Sequence, residues 1–340
     1  MLSPACIAHP NFVSTNKDKI MKAAVMYQNG LPRYIDFPEP IPQNDNAVLV
    51  TVKAVAIKHL DKAQAAGRHY SSEADTMNGR VPGGDAVCLL ADGMRVYGMG
   101  ISGMLAEKAT IHKSRIVKIP DGLNDATAAA LPNAVFGAAM GLKFKANIKP
   151  GDVVLINGAT GFTGRVAVQL AKYYGAKKVI ATGRNVQSLQ DVLRLGADEI
   201  ISVDDEQFAQ KLQYIHATTP IDITLDYLWG STAEIILASL KGDGSYTNFT
   251  RYVSVGSMAG DTLQLSSAIL RSVNLQLTGS GLGAWSKAEV QELFVDILPE
   301  MFQLAAEGKL TVETKDVALC NIADIWATDV QGGERLVVII

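Results

Sequence analysis

Three glycines spaced by three, Gly158, Gly161 and Gly164, stand in the heptapeptide Gly158-Ala159-Thr160-Gly161-Phe162-Thr163-Gly164, directly after the apolar run VVLI at 153–156. Such a run reads as a buried strand, and Val166, Leu170 and Tyr174 then recur on one face of a helix. In a strand, glycine turn and helix of this kind, one glycine makes the tight turn. A second lets the backbone approach a pyrophosphate, and a third packs the helix closely on the strand. The first amides of the helix would point at the phosphates. The seven residues from Gly158 to Gly164 are therefore the expected dinucleotide cradle.

The strand that follows, VIAT from Val179, ends in Thr182-Gly183-Arg184-Asn185. NAD-binding turns place a carboxylate here against the ribose hydroxyls. This chain offers a guanidinium instead, which suits a 2′-phosphate, so Gly183, Arg184 and Asn185 predict NADPH.

The surrounding elements are those that would hold such a turn. Strand-like runs begin at Val153, Val179, Glu199, Ile221, Tyr252 and Leu275, with helical stretches between them, the pattern of a doubly wound parallel sheet. Before them, short β-rich segments separated by Gly, Pro and Asp turns read as a small β-barrel. Residues 1–20 read as an irregular extension, 286–306 as a helix and 313–340 as returning strand.

With 340 residues, 48% hydrophobic and 19% charged, the chain suits two compact domains. A net charge of −3 gives no pull toward nucleic acid or an anionic membrane surface. The three cysteines, Cys6, Cys88 and Cys320, are too scattered for a disulfide framework or thiolate cage, and buried free thiols are expected. No apolar run reaches the length of a membrane helix, and the first residues lack the pattern of a secretory signal. A cytoplasmic protein is expected.

Taken in order, Lys149-Pro150-Gly151-Asp152, the glycine turn, LGAD at 195–198, DITLDY at 222–227, GSMAG at 256–260 and TGSGLG at 278–283 resemble the medium-chain dehydrogenase/reductase superfamily, in its zinc-less quinone oxidoreductase group. The resemblance runs from about Met21 to the C-terminus. It implies a GroES-like barrel over 21–123 and 280–340, a Rossmann domain over 124–279, and an active site in the cleft between them. It also implies that Gly256, Ser257, Gly279 and Ser280 lie beneath a nicotinamide, and that Arg335 reaches a cofactor phosphate. Zinc-dependent members carry an early cysteine ligand and a Gly-His-Glu phrase, where this chain has Lys58-His59 and Gly83-Gly84-Asp85, so no metal is expected.

Without a metal, such an enzyme would position a small electron acceptor and stabilise the charge that follows hydride arrival. Lys58 stands where the group usually has Asn and could supply a cation. Tyr70 resembles a cleft tyrosine that donates a proton or walls the pocket. Gly137 stands where relatives usually keep Thr. The resemblance implies a reductase of small quinones, enones or carbonyl compounds and a homodimer paired through the sheet edge, for which IDITLDY and LQLTGS are apolar enough. Two other readings remain open: an NADPH-binding redox sensor without turnover, and a metal-free NADP-dependent alcohol dehydrogenase.

Overall fold

A computed structural model describes residues 15–27, 30–65, 79–241, 247–328, 330 and 332–340, with residues 15–18 as backbone only. The chain divides into two compact units, one of residues 1–118, 316–328 and 337–340, the other of 119–315 and 329–336. The change of unit expected at 280 comes instead at Asp316, because the helical segment after Ser286 packs with the nucleotide sheet's helices.

The first unit is antiparallel. Strand β1 (Thr15–Val25) pairs with β2 (Arg33–Pro40), so residues 15–20 are strand and not part of the expected irregular extension, whose first 14 residues lie outside the described ones. Met21, Ala23 and Val25 point inward along β1 at the two-residue period and pack with Ala106, Ile35 and Phe37. Next come β3 (Ala47–Ala56), the short helix α1 (His59–Ala65), β4 (Asp85–Leu89), β5 (Arg95–Gly100) and β6 (Lys108–Lys118). These strands follow in order β3-β4-β5-β6, and β6 pairs back onto β3, which closes a small barrel. Cys88 is buried in β4, whereas Cys320 is exposed, contrary to expectation.

The second unit opens with α2 (Asp125–Met140), whose alanines 128, 129 and 130 and Leu131 are all buried. A π-helical turn (Gly141–Lys145) extends it. Its core is a parallel sheet of β7 (Val153–Asn157), β8 (Lys178–Gly183), β9 (Glu199–Ser202), β10 (Ile223–Asp226), β11 (Thr250–Ser254) and β12 (Leu275–Gly279). Helices α3 (Phe162–Tyr173), α4 (Val186–Arg194), α5 (Phe208–Thr218), α6 (Gly230–Ser239) and α7 (Ser267–Ser272) connect these strands.

The strand order is β12-β11-β10-β7-β8-β9, so the winding reverses between β7 and β10. IDITLDY therefore supplies β10, an interior strand buried on both faces, and cannot be the pairing edge that its composition suggested. LQLTGS does lie on the edge strand β12.

As expected from their spacing, residues 286–306 are helical, as α8 (Lys287–Glu292), a π-helical turn (Leu293–Ile297) and α9 (Leu298–Ala306). The C-terminal stretch is less regular than expected: β13 (Thr314–Ala318) and β14 (Arg335–Ile339) are separated by helical turns that include α10 (Ile322–Trp326).

Candidate functional site

The carboxyl ends of the parallel strands stand in one row. Asn157 on β7 is in register with Thr182 on β8 and Asp226 on β10; Asp226 matches Ser254 on β11, and Ser254 matches Gly279 on β12. Gly279 is one of these ends, and Gly158, Gly183, Gly256, Ser257 and Ser280 follow them. The register thus gathers on one edge residues more than 120 positions apart, at the reversal of strand order where doubly wound sheets bind ligands.

Each glycine of the turn has its own geometry. Gly158 takes φ +87°, open to glycine at little cost, while its amide and that of Ala159 both donate to the Thr182 carbonyl, at 3.2 and 2.8 Å. At Gly161 a Cβ would meet nothing nearer than 3.8 Å, so its backbone faces open space. At Gly164 a Cβ would collide with the carbonyl oxygen of Gly158, so α3 can lie this close to β7 only with glycine there.

Gly161 is the N-cap of α3 and has no side chain to bond the first amides. Phe162, Thr163 and Gly164 thus present backbone donors that the helix itself cannot use. A phosphate fits that arrangement in both charge and hydrogen bonding.

Thr160 packs on Gly183, where a Cβ would meet the threonine methyl at 2.5 Å. Arg184 is exposed at the end of β8, free to meet an anionic ligand. The Asn185 side chain is partly committed, since its Oδ1 caps α4 by accepting from the Ser188 amide at 2.9 Å. Arg335 is buried, with its guanidinium carbon 4.4 Å from the centroid of the Phe162 ring. Ser280 is buried as well: its amide donates to the Ser254 carbonyl, and its Oγ accepts from Trp285 Nε1 at 3.1 Å.

A buried polar cluster behind this edge was not expected from the sequence. Asp226 accepts hydrogen bonds from Asn157 Nδ2 (2.7 Å), Tyr252 OH (2.6 Å) and the Leu228 amide (2.8 Å). It also accepts from the Trp229 amide, whose residue holds the strained φ of +58°. The carboxylate thereby fixes the turn that leaves β10. Burial, reinforced by the Asp226 charge, keeps the Tyr252 phenol protonated far above its ordinary range. Asn157 in turn accepts from Thr182 Oγ1 at 2.7 Å, which links three strand ends. The phrase DITLDY carried a partial signal, a carboxylate at the end of an otherwise apolar strand.

Lys58 departs from its expected role. It is only 4% exposed, and its ammonium contacts Asp85, Asp61 (3.2 Å) and the Ala56 carbonyl (3.3 Å). Tyr97 adds a hydrogen bond to the other Asp85 oxygen at 2.6 Å. Burial pulls the lysine pKa down, but the two carboxylates outweigh it and hold it above 10.5. Burial also pushes the Asp61 carboxyl up, against the pull of Lys58. All three ammonium protons have partners inside the first unit, so this cation has no donor left for an acceptor molecule. Tyr70 lies outside the described residues.

Residues 163–299 match the family described as zinc-binding dehydrogenase. The chain is 30% identical over 288 residues to a mycocerosic acid synthase-like polyketide synthase of Mycobacterium tuberculosis, a match covering 79% of this chain but only 13% of that much longer protein. It is 25% identical to a probable NADPH-dependent quinone reductase of Emericella nidulans, over 94% of this chain and the whole of the relative. Its fold superposes on the quinone oxidoreductase of Thermus thermophilus with a TM-score of 0.77 at 24% identity, covering 94% of this chain and 100% of the other. Together these similarities support the medium-chain dehydrogenase/reductase superfamily, in its quinone oxidoreductase-like group. Its two units are accordingly a GroES-like barrel and a Rossmann-type nucleotide unit.

Proposed function

We propose that this chain is an NADPH-dependent oxidoreductase that reduces a small quinone, enone or carbonyl compound without zinc. The observation that carries the reading is the glycine turn at the reversal of strand order, with the N-terminus of α3 uncapped and Arg184 where a carboxylate would select NAD. The curated quinone reductase relative is described as NADPH-dependent, and the Thermus enzyme is known in complex with NADPH, which supports the same cofactor.

The residues divide the binding task. Residues 158–164 receive the pyrophosphate with backbone donors, and Arg335 adds positive charge beside Phe162. Arg184 pairs with the 2′-phosphate, while Gly183 keeps that strand end low. Gly256, Ser257, Gly279 and Ser280 form the shelf for the other half of the dinucleotide. Bound NADPH supplies the hydride. Independence from zinc is supported by the Lys58 ammonium, which already fills the space between the Asp61 and Asp85 carboxylates where a cation would sit.

Among the described residues no helix is long and apolar enough to cross a membrane. We place the enzyme in the cytoplasm as a homodimer joined through β12. The test is NADPH oxidation, followed by absorbance, against small quinones, enones and aldehydes, with and without chelator. Turnover that survives chelator and prefers NADPH over NADH supports the reading, and Arg184→Ala is expected to cut that preference at least tenfold. Tight NADPH binding with no turnover on any acceptor would favour a sensor, and faster alcohol oxidation with NADP⁺ would favour a dehydrogenase.

A further inference from the structure

Tyr227 is the first residue beyond β10, at the head of the crevice where the strand order reverses. Its amide donates to the Asn157 carbonyl at 3.1 Å, and its own carbonyl accepts from the Met258 amide at 3.2 Å. Its backbone is thereby locked between the glycine turn and the loop after β11. The side chain starts against Gly158, where a Cβ would lie 3.4 Å from that of Tyr227. The ring then runs to α2: a Cβ on Gly137 would stand 3.6 Å from Tyr227 Cε1, 3.0 Å from the Thr163 methyl and 3.4 Å from Val255. The ring edge thus reaches ordinary contact distance of the Gly137 position, where the Thr163 methyl is the tighter neighbour, among residues of the nucleotide crevice.

The residue is 9% exposed, and its hydroxyl has no hydrogen-bond partner among the described residues. Burial alone keeps the phenol protonated, so it stays a donor at any working pH. An unpaired buried hydroxyl loses its water and gains nothing in return, whereas phenylalanine would fill the same space without that penalty. The hydroxyl is therefore explained by a partner that arrives from outside the chain. Arg184 closes β8 on one side of β7, and Tyr227 closes β10 on the other. A dinucleotide whose 2′-phosphate meets Arg184 and whose pyrophosphate crosses the β7 turn brings its nicotinamide half to β10.

We infer that the Tyr227 hydroxyl is a binding group for the nicotinamide half of the dinucleotide, donating a hydrogen bond to a ribose or carboxamide oxygen there. The inference rests on the NADPH reading above. Tyr227→Phe separates it from a packing role, because the two make opposite predictions for the ligand-free protein.

In thermal unfolding without ligand, the variant is expected to melt at or above the wild-type temperature, since it sheds an unpaired polar group. In fluorescence titrations its affinity for NADPH is expected to fall about three- to tenfold. Affinity for adenosine 2′,5′-bisphosphate, which lacks the nicotinamide half, should not change. A lower melting temperature with unchanged NADPH affinity overturns the inference and makes the hydroxyl a structural bond. Equal weakening of both ligands also overturns it, as a general distortion of the turn. A wild-type chain that binds neither ligand would instead defeat the NADPH reading itself, a failure visible before the variant is made.

Discussion

Lys58 and Tyr227 are both buried polar residues, yet their surroundings assign them opposite tasks. The lysine is fully partnered by Asp61, Asp85 and Ala56, so its charge is spent holding α1 and β4 together. Lys58→Met would leave two uncompensated carboxylates in the barrel, and breaking a buried pair in this way costs about 3–5 kcal/mol. Urea denaturation should show a loss of that order. If Lys58 acted on the acceptor instead, turnover per folded molecule would collapse while stability held. The sequence placed Lys58 beside a zinc-ligand position but could not reveal Asp85 as its partner, because the two meet only when β3 and β4 pair across 27 residues.

Among the elements, the close contact of α3 with β7 is the one on which the proposed NADPH site rests. Gly164→Ala pushes a methyl group into the Gly158 carbonyl, so the helix must back away and carry its amides off the phosphate position. NADPH affinity is expected to fall more than tenfold while circular dichroism stays unchanged; retained affinity would show that the turn can flex. The geometry of the turn, with Gly158 at positive φ and Gly164 against the Gly158 carbonyl, was legible because spacing and flanking strands specify it locally. The order of the strands was not. Runs as apolar as β10 and β12 look alike in sequence, and only sheet topology makes one interior and the other an edge.

Another joint gives stability a pH dependence. His216, in the last turn of α5, accepts the Ile221 amide through Nδ1 at 3.1 Å, which ties that helix to the approach to β10. Burial lowers the pKa of the ring below 6.5, with Asp222 pulling weakly the other way. The folded chain therefore favours neutral imidazole, while the unfolded chain takes up a proton first as pH falls. The contribution is complete above about pH 6.5 and is lost progressively below it. The urea midpoint should drop between pH 7.5 and 5.5, and His216→Gln should flatten that drop; an unchanged slope would remove His216 as its source.

For the whole molecule, assembly is the open consequence of the fold. On β12, Leu275 and Leu277 pack inward on the nucleotide core, so a partner would be recruited by the strand's open backbone edge and not by those side chains. Sedimentation velocity is expected to give a dimer; a monomer at micromolar concentration would rule that edge out as a stable interface.

The chain's periodicity by itself determined a β-rich first part, a six-stranded parallel sheet and a glycine turn after that sheet's first strand in sequence, since each follows from residues within a few positions of one another. Only the tertiary structure decided that Lys58 is consumed by Asp61 and Asp85, that β10 is interior, and that the Tyr227 ring reaches the Gly137 position. Those outcomes depend on which distant segments come within a few ångströms of each other. Local spacing carries no term for such distances; sheet register and helix packing set them.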